Sequence, residues 1–214
     1  MPTRRLDFRP AQRHLSRADQ VLRQLIATVG PCTLRPGAGD HFALLVRAII
    51  SQQISGKAAA SISARLTQVL ASRGLTPHGI LQFPVEQLRS VGLSAAKAAY
   101  VRDLAEKVLS GAVALKGIHR VADEEIIDRL IAVKGIGRWT AEMFLIFSLG
   151  RLDVLPVGDL GFRSAVQRLY GLEELPEPAY LRELAEPWRP YRSVATWYFW
   201  RSTGFVPYSG IKQE

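Results

Sequence analysis

Few residues in this chain are of types and spacings that could do chemistry. The segment Val133-Lys134-Gly135-Ile136-Gly137-Arg138 sets two glycines around one apolar residue, between two helix-forming stretches. Such a turn lets the backbone bend sharply and approach another molecule closely. The unpaired amides that open the following helix then point outward and can grip a phosphate. Lys134 and Arg138 flank them with positive charge. A different chemistry is available in Leu155-Pro156-Val157-Gly158-Asp159-Leu160-Gly161, where Asp159 stands at the expected start of a helix. A carboxylate there accepts backbone N–H bonds and complements the helix dipole. Taken alone, Asp159 is either a plain helix cap or a catalytic group, while Asp153 fits a surface turn. Aromatics are the third feature: Trp139 follows the glycine turn, and Trp197-Tyr198-Phe199-Trp200 stands near the C-terminus. Four bulky rings in succession should not all face one core, so some are expected to line a cleft or a neighbouring lobe.

Helices must position these groups, because helix periodicity dominates and strand signals are almost absent. Val21, Leu22, Leu25, Ile26 and Val29 recur at 3–4 spacing after Ser16, which predicts a helix over 16–29 capped by Ser16. Asp40 is the expected cap of a helix bearing Phe42, Leu45, Val46, Ile49 and Ile50. The polar string Ser51-Gln52-Gln53 follows, and Ser55 caps a helix of roughly 56–72. Thr76-Pro77 and Phe83-Pro84 open two short helices, and Ser94 starts a long one that stops near Gly111. Asp123 opens a helix with the stripe Ile126, Ile127, Leu130 and Ile131, and an apolar helix follows the glycine turn to about Leu149. Further helices fit 159–170, 178–186 and 190–203. The expectation is an all-α chain of about nine or ten helices.

Composition narrows the class. The 214 residues carry 48% hydrophobic and 22% charged side chains, as an ordinary globular protein does. Lysine and arginine exceed aspartate and glutamate by nine charges, which favours a polyanionic partner. A single cysteine, Cys32, excludes an intramolecular disulfide, a zinc knuckle and a cysteine-ligated iron–sulfur cluster. His14, His41, His78 and His119 lie too far apart for a metal motif. No apolar run approaches membrane-spanning length, and the N-terminus lacks an apolar signal core. A soluble, intracellular protein is expected.

The strings AIISQQIS (48–55), LIAVKGIGRWTAEMFLIFSLGRLDVLPVGDLGFR (130–163) and PYRSVATWYFWR (190–201) closely resemble the 3-methyladenine DNA glycosylase II family. This is the alkylated-base branch of the helix-hairpin-helix GPD glycosylases, and the likeness runs from about residue 16 to 205. The resemblance implies a monofunctional enzyme that flips alkylated purines out of duplex DNA and hydrolyses the N-glycosidic bond in base excision repair. It puts the catalytic carboxylate on Asp159, as stabiliser of an oxocarbenium sugar or activator of water. It sets the backbone grip on Lys134, Gly135, Ile136, Gly137 and Arg138, with a sodium or potassium ion held by carbonyls near Ile131, Val133 and Ile136. No other cofactor is implied. Trp139 stands where bifunctional relatives carry a Schiff-base lysine, so no lyase activity is expected. Trp139 and Trp200 match base-pocket positions, and a cationic base is drawn to such rings. Met143 and Leu160 stand where the best-known bacterial relative has tyrosines, which implies a less aromatic pocket. Gln53, or alternatively Gln52, is the implied wedge that fills the gap left by the flipped base.

That relative's N-terminal β domain is not expected here, and the resemblance implies a compact, all-helical subtype. The expected architecture is two helical lobes with DNA across the cleft between them. Residues 36–150 carry the wedge loop and the hairpin, and 1–35 with 151–214 carry Asp159 and the aromatic helix. The partner is double-stranded DNA with alkylated bases and the protein is expected to be a monomer, cytoplasmic and nucleoid-associated in a bacterium, nuclear in a eukaryote. A non-catalytic DNA-binding module and a glycosylase for other damaged bases are the alternatives.

Overall fold

The computed structural model describes residues 7–37, 40–71, 73–204 and 207. Among these residues every regular element is helical, and there are twelve α-helices, more than the nine or ten expected. In chain order they are α1 (Arg9–Ala18), α2 (Gln20–Val29), α3 (His41–Ser51), α4 (Gly56–Val69), α5 (Pro77–Leu81), α6 (Val85–Ser90), α7 (Ala95–Leu109), α8 (Asp123–Ile131), α9 (Arg138–Phe147), α10 (Leu160–Tyr170), α11 (Pro178–Leu184) and α12 (Arg192–Ser202). The described residues of Met1–Gly37 and Leu145–Ser209 form one compact unit, and those of Ala38–Phe144 form another. The division falls inside α9, whereas the sequence places it after residue 150.

The second unit follows its local signals closely. Asp40, Ser55, Thr76 and Ser94 cap α3, α4, α5 and α7, each accepting a backbone N–H of the first turn. Leu45, Ile49, Leu66, Ile80, Leu104, Ile126 and Leu130 are buried in its core. The ring of His41, at the start of α3, packs edge-on against Phe144 with centroids 5.6 Å apart. Its Nδ1 has no hydrogen-bond partner among the described residues. Burial holds the His41 pKa below its usual 6.5, with Asp40 opposing and His119 assisting. The folded protein therefore binds fewer protons than the unfolded chain just below that pH, and stability is lost as the solution is acidified.

The first unit departs from expectation at its N-terminus. The predicted helix of 16–29 is broken by Asp19, whose extended backbone separates α1 from α2. Asp19, and not Ser16, is the cap, with Oδ1 accepting the Leu22 N–H at 3.0 Å. Its Oδ2 accepts the Trp188 indole N–H at 3.0 Å and the Tyr170 hydroxyl. One carboxylate thus ties α2 to the end of α10 and to the turn at Glu186–Trp188. The aromatic run is also a correction: Trp197, Tyr198, Phe199 and Trp200 are all buried. Helix α12 packs against α1, α2 and α10, which encloses every residue from Ser193 to Trp200.

Two measurements test this account. Asp19→Ala removes a cap and strands the buried Trp188 donor and the half-buried Tyr170 hydroxyl, so urea unfolding should show a loss of about 2–4 kcal/mol. Thermal melts from about pH 7.5 to 5.5 should show wild type losing more stability than His41→Phe.

Candidate nucleic-acid interface and active site

Two clusters hold the residues picked out from sequence, one in each unit. In the second unit, α8 ends at Ile131 and the chain turns through the glycine segment into α9. Gly135 has φ +78°, and a Cβ there would fall 2.1 Å from the ring of Tyr100. Only glycine satisfies both conditions. The Ile136 amide donates to the Val133 carbonyl at 3.1 Å, and the Lys134 amide donates to Asp103 Oδ2 at 2.8 Å. The Gly135 and Gly137 amides donate to nothing among the described residues, the arrangement in which backbone N–H groups are open to an acceptor. Lys134 is exposed. Arg138 is less available than its position suggests, because its guanidinium pairs with Glu124 at 2.6 Å and Glu142 at 3.2 Å. The hydrogen bond to Glu124 raises the Arg138 pKa, although burial opposes it.

The polar string after α3 lies beside this hairpin. Gln52 Nε2 donates to the Gly135 carbonyl at 2.8 Å. Lys97 Nζ, from α7, donates to the carbonyls of Ile50 and Gln52 at 2.7 and 2.6 Å. Burial lowers the Lys97 pKa from its usual value. Gln53 is exposed at the tip with φ +57°, the one non-glycine residue at positive φ among those described. The two glutamines are therefore unlike: Gln52 is tied to the hairpin and Gln53 is presented outward.

In the first unit Asp159 caps α10 and is 7% exposed. Its Oδ1 accepts the Phe162 amide at 2.6 Å and the Trp200 indole N–H at 2.9 Å. Trp200 is fully buried and stacks on Phe147, with centroids 5.8 Å apart. Gly161 leaves the carboxylate room, since a Cβ there would stand 3.3 Å from Oδ1. The loop leading to Asp159 is fastened to the start of α12. The Val154 amide donates to Ser193 Oγ, and the Ser193 amide donates to the Leu152 carbonyl, both at 2.9 Å. Asp153, expected in a plain surface turn, receives Arg189 at 2.9 Å and Arg192 at 2.7 Å.

The residues expected at a base pocket differ in access. Trp139 is half-buried, Leu160 is 65% exposed, and Met143 and Trp200 are shut away from solvent. Trp200 meets Asp159 through its N–H edge, a role that the sequence does not reveal. Lys97, Tyr100 and Asp103 were not expected at all; their only sequence signal is a 3-residue spacing along α7. The Cys32 thiol is pushed up to about 12 by burial and is no nucleophile.

The model of the HhH-GPD superfamily of base excision DNA repair proteins matches residues 46–190. The chain belongs to that superfamily. It is 34% identical over 200 residues to alkylbase DNA glycosidase-like protein mag2 of Schizosaccharomyces pombe, covering 91% of this chain and 93% of that one. It is 36% identical over 205 residues to DNA-3-methyladenine glycosylase 1 of the same yeast, covering 93% and 89%. The solved structure of the Schizosaccharomyces pombe 3-methyladenine DNA glycosylase Mag1 with abasic DNA superposes with a TM-score of 0.81. That match is 35% identical and spans 94% of this chain and 99% of the other. The HhH-GPD match takes in Gln52 and Gln53, the glycine hairpin and Asp159, but ends before Trp200.

Gly135→Ala should lower the melting temperature and weaken duplex DNA binding about tenfold or more, through positive φ and the collision with Tyr100. Adding Tyr100→Ala should restore part of the melting temperature, as calorimetry on both variants would show.

Proposed function

We propose that this HhH-GPD protein is a monofunctional DNA glycosylase that releases alkylated purines, of the 3-methyladenine and 7-methylguanine type, from duplex DNA in base excision repair. The observation that carries this reading is Asp159: a buried carboxylate at a helix start, oriented by an indole N–H and a backbone amide. A residue serving only as a cap has no need of the second donor. In the reaction the C1′–N bond breaks, its electron pair leaves with the base and neutralises it, and water adds to C1′ and loses one proton to solvent. An N3- or N7-alkylated purine carries positive charge and leaves without a strong general acid. Two N–H donors on Oδ1 suit a fixed negative charge beside the developing oxocarbenium sugar, so electrostatic stabilisation is the role assigned to Asp159. Trp139 in place of a lysine supports hydrolysis without strand cleavage.

Gln53 is the proposed wedge. A left-handed backbone costs a residue with a Cβ about 1–2 kcal/mol. Glycine would occupy that position without strain, so the side chain itself accounts for the glutamine, and it is the exposed one of the pair. The Gly135 and Gly137 amides, with Lys134, are the proposed grip on the backbone. A sodium or potassium ion fits the neutral carbonyls near Ile131, Val133 and Ile136. The Val133 oxygen, which accepts one N–H, keeps a second lone pair for it. The half-buried ring of Trp139 is the proposed contact for a cationic base. An enzyme of this kind works where the DNA is, in the nucleoid of a bacterium or the nucleus of a eukaryote.

Asp159→Asn keeps a capping oxygen for Phe162, so the fold should survive. Release of 3-methyladenine or 7-methylguanine from methylated duplex, followed by chromatography, should fall about 100-fold or more in that variant. Binding of the same duplex should change little. Equal release by wild type and variant would remove Asp159 from the chemistry, and no release by either would favour a different lesion or a pure binder. Borohydride should trap no covalent complex.

A further inference from the structure

Helix α7 contacts both DNA-facing elements of its unit along one line of side chains. Lys97, Tyr100, Asp103 and Lys107 follow at spacings of three, three and four, which places them on one helix face. Lys97 takes the carbonyls of Ile50 and Gln52 at the end of α3. Tyr100 lies against Gly135 so closely that no Cβ fits between them. Asp103 accepts the Lys134 amide, and Lys107 holds Asp103 with both carboxylate oxygens 2.7 Å from Nζ. Gln52 closes the circuit by donating to the Gly135 carbonyl. The loop that presents Gln53 and the hairpin that presents the Gly135 and Gly137 amides are thus fixed to one ruler at three successive points.

We propose that Lys97 is a positioning residue for base extrusion: by holding the last carbonyls of α3 it sets the Gln53 loop at a fixed distance from the phosphate-binding hairpin. This rests on the function proposed above and adds the device that makes wedge and grip act together. The reason is local. The last carbonyls of a helix lack internal partners, and a lysine ammonium is the strongest donor set available to them. Gln53 stands in the left-handed region immediately after the Gln52 carbonyl, and such a conformation persists only where its surroundings over-determine it. The Lys97 ammonium on one side and the Gln52–Gly135 bond on the other supply that constraint. Without Lys97 the Gln52 carbonyl is released, Gln53 relaxes toward the ordinary helical or extended regions, and its side chain leaves the register of the hairpin amides.

The test compares Lys97→Met and Lys97→Arg with wild type on two DNA duplexes. In one the alkylated base is paired; in the other it lies opposite an abasic-site analogue, so that extrusion needs no wedge. Lys97→Met should lower single-turnover excision from the paired duplex about tenfold and leave the unpaired substrate within about twofold. Lys97→Arg, which still donates to two carbonyls, should recover much of the loss. An equal loss on both duplexes would mark general damage to the fold, and no loss on either would show that the loop holds its place unaided; both overturn the proposal. Hydrogen exchange provides a readout independent of activity: amides of residues 52–55 should exchange faster in Lys97→Met, while peptides of α12 remain unchanged. Unaltered exchange in 52–55 would overturn the proposal even if wild type released no base, an outcome that would count separately against the assigned function.

Discussion

A carboxylate removed from water costs free energy unless hydrogen-bond donors meet it, and the first unit is arranged around meeting that demand at Asp159. One donor is local, the Phe162 amide of the helix that Asp159 caps. The other comes from Trp200, far along the chain, and to deliver it α12 must run through the interior. That requirement accounts for the density of polar fastening at the start of α12, where Ser193, Arg189 and Arg192 fix the preceding loop through Leu152, Asp153 and Val154. It also accounts for the stack of Phe147 on Trp200, which limits rotation of the indole that carries the donor. The chemistry assigned to Asp159 needs a charge that does not move as the sugar develops its own, and fixed donors on one oxygen supply that immobility.

The second unit solves a different problem, which is spacing. A wedge is useful only if it enters the helix one step from the phosphates being held. Loops rarely supply such precision by themselves, and here it comes from a helix: α7 meets the loop at Lys97 and the hairpin at Tyr100 and Asp103. Because α7 rises about 1.5 Å per residue, its contacts lie within about two turns, and a rigid rod of that length transmits little error. Gly135 pays for the close approach with the loss of its side chain, and the Lys134 amide is spent on Asp103 rather than on DNA.

What was legible in the sequence was mostly short-range. Caps at Asp40, Ser55, Thr76 and Ser94 depend on residues within three positions, and the structure has each where the sequence predicts it. The glycine turn and Asp159 were also visible, because tight turns and helix starts impose residue types. Helix α1 escaped notice because only Ala11 and Leu15 of its ten residues are buried, too few to show a period. Asp19 displaced Ser16 as cap because its carboxylate also serves Tyr170 and Trp188, partners more than 150 positions away. The burial of all four aromatics on α12 has the same origin, since it is set by neighbouring helices and not by α12 itself. Nothing local separates Gln52 from Gln53; a positive φ and a single hydrogen bond to Gly135 do so.

The charge of the chain is subject to the same distinction. A formal excess of nine positive charges suggests a surface that binds DNA through lysine and arginine. At the hairpin much of that charge is committed elsewhere: Arg138 is held by Glu124 and Glu142, and Lys97 is turned inward onto carbonyls. Apart from the exposed but paired Arg138, what faces outward is one lysine and two backbone amides. Amides aligned on a phosphate fix position and orientation, whereas the salt-dependent share of affinity scales with the cations that displace counterions. The hairpin is therefore a register mark more than an electrostatic anchor, and the bulk of the attraction for DNA must come from cations outside it. This division suits the proposed search for one damaged base among many sound ones: long-range attraction would bring the duplex in without preference, and the weakly charged hairpin beside the proposed Gln53 wedge would test each base pair for how readily it opens.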